Sequence, residues 1–92
     1  MRIDRFLFFI RLVKSRTLAQ ALVEQGHLRI DGKRVTKPSD EVRAGSVVAL
    51  PLHGRVRVIE VVTLPARRGP ASEAQSHYRE ILENVSQQYP DD

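Results

Sequence analysis

Ile3, Phe6, Leu7, Ile10 and Val13 recur at the i, i+3, i+4 spacing of a helix, predicting a first helix with one stripe turned to a core. Phe8 and Leu12 lie four apart on its far side among Asp4, Arg5 and Arg11, giving it a second apolar face. The C-terminal segment of the same chain is the expected cover for that face. A second helix is predicted from Ser15 as N-cap to about Gln25, with Leu18, Ala21 and Leu22 inward and Gln20 and Glu24 outward. Gly26 suits the left-handed residue that ends it.

The period then shortens. Leu28 and Ile30 alternate with Arg29, Asp31-Gly32 signals a tight hairpin, and Val35 extends the return strand until Pro38 stops it. Arg29, Lys33 or Arg34, and Lys37 fall on the polar side. Val42 and Ala44-Gly45 predict another turn before a strand from Ser46 to Leu50, and a further strand runs from Arg55 to Val62. Pro65, Arg67, Arg68, Gly69 and Pro70 break the pattern. Ser72 with Gln75 fits a capping box, and Ala74, Tyr78, Ile81, Leu82 and Val85 predict a third helix packed on the Phe8 and Leu12 face. The end, Tyr89 to Asp92, reads as polar and frayed. The fold class is therefore α+β: two helices, a small antiparallel sheet and a C-terminal helix.

With 92 residues the chain is expected to form one core. It has no Cys, which removes disulfides, thiolate zinc sites and cysteine nucleophiles. No apolar run is long enough to span a bilayer, and Arg11 and Lys14 interrupt the first apolar stretch, so a signal peptide is not expected. These features suggest a soluble cytoplasmic protein. The net charge of +4 is unevenly placed: residues 1–50 hold ten Lys and Arg against five Asp and Glu, and residues 51–92 hold five against six. A cationic N-terminal half points to a polyanion, either nucleic acid or an anionic membrane surface.

Catalytic machinery is not visible. His27, His53 and His77 are widely separated, the chain carries no HExxH and no Gly-rich phosphate loop, and Ser39, Asp40 and His53 form a combination that chance supplies in any small protein. No enzyme activity, metal or cofactor is expected. The sharper signal is Lys14-Ser15-Arg16, where a helix cap stands between two cations. A cap alone is structural, but a helix N-terminus beside two cations also suits a phosphate oxygen. The Asp31-Gly32 turn, flanked by Arg29, Lys33 and Arg34, adds a second cationic element. Arg67-Arg68 reads as structural or solvated.

Three segments carry a family resemblance: Arg2 to Leu7, Lys14 to Ala19, and Gly26 to Val35 continuing to Lys37-Pro38-Ser39. Together they resemble the RNA-binding domain named for small-subunit ribosomal protein S-four. Arg67 to Ala74 and Tyr78 further resemble the segment that follows this domain in the bacterial heat shock protein fifteen family, and the short overall length resembles that family's compact relatives in ribosome-associated quality control. The resemblance implies an αL RNA-binding motif over residues 1–64, with 65–92 a loop and C-terminal helix on the same core. It implies a non-catalytic protein acting on the large ribosomal subunit that carries peptidyl-tRNA after stalled translation. Its implied partners are large-subunit ribosomal RNA, tRNA and a quality-control protein factor, with no membrane and a monomeric state. Carried over by position, the implied RNA contacts are Arg2, Arg5, Arg11, Lys14, Ser15, Arg16, Arg29, Lys33, Arg34 and Lys37. Two departures stand out: Gly45-Ser46 replaces the commoner Gly-Asp, and the long basic tail of heat shock protein fifteen is lacking. The same domain resembles modules attached to pseudouridine synthases and tyrosyl-tRNA synthetases, so an accessory subunit of an RNA-modifying or tRNA enzyme is the alternative.

Overall fold

The first apolar stripe becomes α1 (Ile3–Phe9) in a computed structural model that describes residues 1–81. Ile3, Phe6 and Leu7 are fully buried, and Ile10 and Val13 follow them into the core from beyond the helix end. The helix stops earlier than its pattern suggests because the chain turns at Arg11, where φ is 65°. Leu12 N–H bonds the Leu7 carbonyl at 3.1 Å and Arg11 N–H bonds that of Phe8 at 3.1 Å. This pair of bonds is a Schellman closure with arginine in place of the usual glycine. Leu12 therefore leaves the helix and does not extend a second face with Phe8.

In α2 (Arg16–Glu24), the Ser15 hydroxyl accepts from Leu18 N–H at 3.1 Å, as its sequence position predicts. Gly26 follows the helix with φ 80°. Its buried face is shifted from the predicted one: Ala19 and Val23 are buried and Leu22 packs partly buried against the core, whereas Leu18 is 48% exposed. The small Ala19 sits in the core cluster with Ile3, Phe6 and Leu7 of α1, and the larger Leu18 is turned to a groove on the flank.

The sheet contains β1 (Arg29–Ile30), β2 (Lys33–Arg34), β3 (Val47–Leu52), β4 (Arg55–Val61) and β5 (Tyr78–Glu80) in the order β2-β1-β3-β4-β5, with every pairing antiparallel. Asp31 and Gly32 join β1 to β2, and His53 and Gly54 join β3 to β4; both pairs have positive φ, as two-residue hairpins require. The β3 strand continues through Pro51, beyond its predicted end. Since β1 reaches only as far as Ala49, Pro51 leaves no ladder bond unmade on that side. Val48, Leu50, Ile59 and Val61 bring the sheet's inner face against α1 and α2.

The predicted third helix shrinks to α3 (Ala71–Gln75), with Pro70 rather than Ser72 at its N-cap and no side-chain cap. Tyr78, expected on that helix, lies in β5. His77 carbonyl accepts from Val62 and Thr63 N–H, Arg57 forks onto Glu80 at 2.6 and 3.0 Å, and Arg79 pairs with Glu60. The open edge of β4 offers a ladder that outweighs the local helical spacing. Ile81, also expected on that helix, instead donates its N–H to the Val58 carbonyl at 2.9 Å, and Leu82 and Val85, the remainder of the predicted stripe, lie outside the described residues, as does Tyr89. Phe8 is instead covered by Arg68, whose guanidinium carbon stands 4.5 Å from the ring centroid.

Candidate functional site

At the start of α1 an aspartate is buried completely. Asp4 accepts Arg2 Nε and Nη2 at 3.0 Å each, Arg16 Nη2 at 3.3 Å, Gln20 Nε2 at 3.4 Å and the Arg5 backbone N–H at 2.7 Å. Burial pushes its carboxyl upward, but the donors from Arg2, Arg16, Gln20 and Arg5 outweigh that effect and hold it below the ordinary aspartate value. α1 places Asp4 on its inner side, and the first two turns of α2 bring Arg16 and Gln20 to it. The hydrophobic pattern misses this centre because it assigns Asp4 and Gln20 to outward positions. The available signal is an acid one residue into a helix whose neighbouring cations have no other local partner.

The loop at 38–41 lies against the same helix end, with Ile3 N–H on the Asp40 carbonyl at 2.7 Å and Asp4 N–H on the Pro38 carbonyl at 3.3 Å. Asp40 also closes its own turn by accepting Thr36 and Lys37 N–H at 3.0 and 3.4 Å. These bonds tie the turn that carries Lys37 to the start of α1. The hairpin joins that surface through a shallow depression lined by Ile30, Asp31, Lys33, Arg34, Asp40 and Glu41. Arg34 Nε donates to the Gly26 carbonyl at 3.2 Å, tying β2 to the end of α2, while Arg29 reaches the Gly32 carbonyl at 3.4 Å. Arg5, Lys14, Lys33 and Lys37 are exposed, and none makes a side-chain hydrogen bond or ion pair among the described residues.

Arg11 and Lys14 stand at a different depression, an apolar groove of about 440 Å³ lined also by Leu12, Leu18, Leu22, Leu52 and His53. Arg11 Nε donates to the Gly69 carbonyl at 2.6 Å, which occupies part of a guanidinium expected to face a ligand. Lys14 connects the groove to Ser15 and Arg16 at the helix start. His53 lies at this groove and Asp40 at the hairpin depression, so Ser39, Asp40 and His53 do not converge on one pocket. His77 Nδ1 is 2.7 Å from the Thr63 hydroxyl. Among the described residues no three His, Asp or Glu side chains gather as a metal site, and no helix is long and apolar enough to cross a membrane.

Residues 1–48 match the family model of the S4 domain. Small ribosomal subunit protein uS4 of Lacticaseibacillus casei (strain BL23) is 49% identical over 49 residues, covering 53% of this chain and 24% of its own. Heat shock protein 15 of Escherichia coli (strain K12) is 34% identical over 85 residues, covering 92% of this chain and 63% of its own. The chain thus spans less than two thirds of either curated relative. A solved trimeric structure of Vibrio cholerae Heat Shock Protein 15 matches with a TM-score of 0.87 and 32% identity, over 95% of this chain and 87% of that one.

Proposed function

Because this chain belongs to the S4 domain family and is of the heat shock protein 15 type, we propose that it is a non-catalytic RNA-binding protein using the cationic face between the start of α2 and the β1–β2 hairpin. Residues 1–64 are proposed to form the RNA-binding domain, and the described part of the following segment, residues 65–81, packs on it through β5 and Arg68. The observation that carries this reading is that Arg5, Lys14, Lys33 and Lys37 are exposed and unpaired among the described residues, each on a segment fixed by local backbone bonds. Lys14 precedes the Ser15-capped α2 and Lys33 follows the Asp31-Gly32 turn, while Arg5 stands on α1 and Lys37 in the turn that Asp40 closes beside the start of α1. Arg2, Arg16, Arg29 and Arg34 add charge that is already oriented by intramolecular bonds. Ser15 contributes a helix N-terminus whose first N–H groups face a phosphate, and Arg11 lies at the margin.

Such a face recognises shape and phosphates. The deep, narrow major groove of A-form RNA excludes a helix and hairpin, leaving backbone oxygens and 2′-hydroxyls as the contacts. The proposed target is the large ribosomal subunit still carrying peptidyl-tRNA after stalled translation, with contacts to ribosomal RNA and tRNA and with a quality-control factor as partner. The chain is proposed to act in the cytoplasm as a monomer, although the Vibrio cholerae relative is described as trimeric.

Sucrose-gradient sedimentation of the tagged chain in lysate tests the proposal, with and without an agent that stalls and splits ribosomes. Enrichment on free large subunits should rise with stalling and disappear on replacing both Lys14 and Lys37 by Glu. A profile confined to the top of the gradient under both conditions rejects ribosome association. Co-purification with an RNA-modifying or tRNA enzyme would then identify an accessory subunit. The sedimentation coefficient of the free chain reads its oligomeric state.

A further inference from the structure

We infer that Asp4 is a positioning residue for RNA binding, its buried carboxylate holding the Arg2 and Arg16 guanidinium groups side by side as one phosphate-binding platform. This rests on the RNA-binding reading above and adds a residue that itself touches no RNA. Both arginine Nη2 atoms bond the same oxygen, Asp4 Oδ2, and Gln20 Nε2 joins them there. The Arg5 N–H fixes the other oxygen, so the carboxylate plane cannot turn freely. Asp4 is 0% exposed, while the Arg2 and Arg16 side chains are 42% and 40% exposed. The inner edges of the two arginines are therefore committed to Asp4 and their outer parts face solvent. Arg16 Nε is itself sealed from solvent with no acceptor among the described residues. A long arginine normally loses rotamer freedom when it engages a phosphate; here much of that loss precedes ligand arrival.

Charge and positioning predict opposite signs. Two cations and one anion leave a net charge of one, so removing the anion raises the positive potential of the face. By charge alone Asp4→Asn should tighten RNA binding. If Asp4 positions the arginines, the same substitution weakens binding to folded RNA despite the added positive charge, because an amide holds two guanidinium groups poorly.

The experiment uses the full 92-residue chain with two probes, folded large-subunit ribosomal RNA and single-stranded polyuridine, each over a range of salt. Asp4→Asn should lose roughly five- to tenfold in affinity for the folded RNA, hold or gain affinity for polyuridine, and show no smaller salt slope. Equal or tighter binding of folded RNA overturns the inference. If that variant fails to fold, Arg16→Lys supplies the test, since it keeps the charge but cannot bridge Asp4 and a phosphate with a planar fork. It should weaken folded-RNA binding at an unchanged salt slope, and parental affinity would overturn the inference. Parent protein that binds neither RNA overturns the RNA-binding reading and this inference together; parental binding that both variants retain overturns only the role of Asp4.

Discussion

Arg68 reaches back across the sequence to Phe8 twice: its guanidinium carbon lies 4.5 Å from the ring centroid, and its Nε donates to the Phe8 carbonyl oxygen at 3.0 Å. The second contact gives a second donor to a carbonyl that already accepts from Arg11 N–H near the C-terminal end of α1, while the first covers the ring with a weakly hydrated cation. Arg68→Ala should lower stability by about 1–2 kcal/mol, from one cation–π contact and one charge-assisted hydrogen bond. Arg68→Lys should recover part of this, since it keeps the cation but loses the Nε donor. Urea denaturation with an unchanged m-value reads both effects. An Ala variant as stable as the parent would show that the loop, and not this side chain, covers Phe8.

Acid should unfold the protein through two carboxylates. Side-chain hydrogen bonds from Arg57 hold Glu80 below its usual value against the opposing effect of burial, with the Arg57 and Arg55 charges adding to the fall. For Asp4, burial opposes the shift and the Arg2, Arg16, Gln20 and Arg5 donors prevail. A folded-state pKa below the unfolded one contributes stability that is fully present above the unfolded value. That stability is lost as pH falls through the folded value. The urea midpoint should therefore decline below about pH 4, near the ordinary carboxylate range. Glu80→Gln should be less stable than the parent at pH 7 and should lose less on acidification. Parallel pH profiles for the two proteins would remove Glu80 from the acid response.

At Gly26 the backbone needs φ of 80°, and an added Cβ would lie 2.8 Å from Arg34 Nη2. The obstructing atom is the far end of a flexible side chain and can move, whereas the backbone strain remains. Gly26→Ala should cost about 1 kcal/mol from that strain. It should also displace Arg34 from the Gly26 carbonyl, loosening the link between α2 and β2. Hydrogen exchange at Val35 N–H, which bonds the Leu28 carbonyl at 2.8 Å, should accelerate more than at Ile10 N–H. Uniform acceleration would indicate global destabilisation without a local hinge.

The parts of the fold legible in the sequence are those decided by neighbours along the chain. Ser15 caps its helix with a bond only three residues away, and Asp31-Gly32 closes its hairpin through the positive φ those residues tolerate. The family resemblance, carried by the order and spacing of these segments, agrees with the S4 domain match over residues 1–48. Partners distant in sequence decide what was illegible. Tyr78 has helical spacing, yet the free edge of β4 draws it into a strand; Leu18 is the larger apolar residue, yet Ala19 fits the helix contact. Asp4 is the sharpest case. Nothing in hydropathy distinguishes an outward aspartate from one enclosed by Arg2, Arg16 and Gln20, because two of the three enclosing groups, Arg16 and Gln20, come from another helix.

Salt dependence should separate cations that wait for a ligand from those already employed. Lys33 is exposed on the hairpin with no partner among the described residues, whereas Arg11 donates to Gly69 at 2.6 Å and holds the loop after β4 against the end of α1. A side chain that neutralises a phosphate releases about one counterion, so Lys33→Ala should reduce the slope of log K against log salt by roughly 0.7–0.9. Its urea midpoint should stay near that of the parent because no intramolecular contact is lost. Arg11→Ala should behave in the opposite way: a slope close to the parent's, with stability lower by about 1 kcal/mol for the lost charged hydrogen bond. The positive φ at Arg11 persists in the alanine variant, so relief of backbone strain does not obscure the comparison. Filter-binding titrations with folded large-subunit RNA at several salt concentrations, paired with urea denaturation of each variant, read both quantities. A slope reduced equally by the two substitutions would make Arg11 a phosphate contact despite its bond to Gly69, and would extend the RNA face to the groove it shares with Lys14.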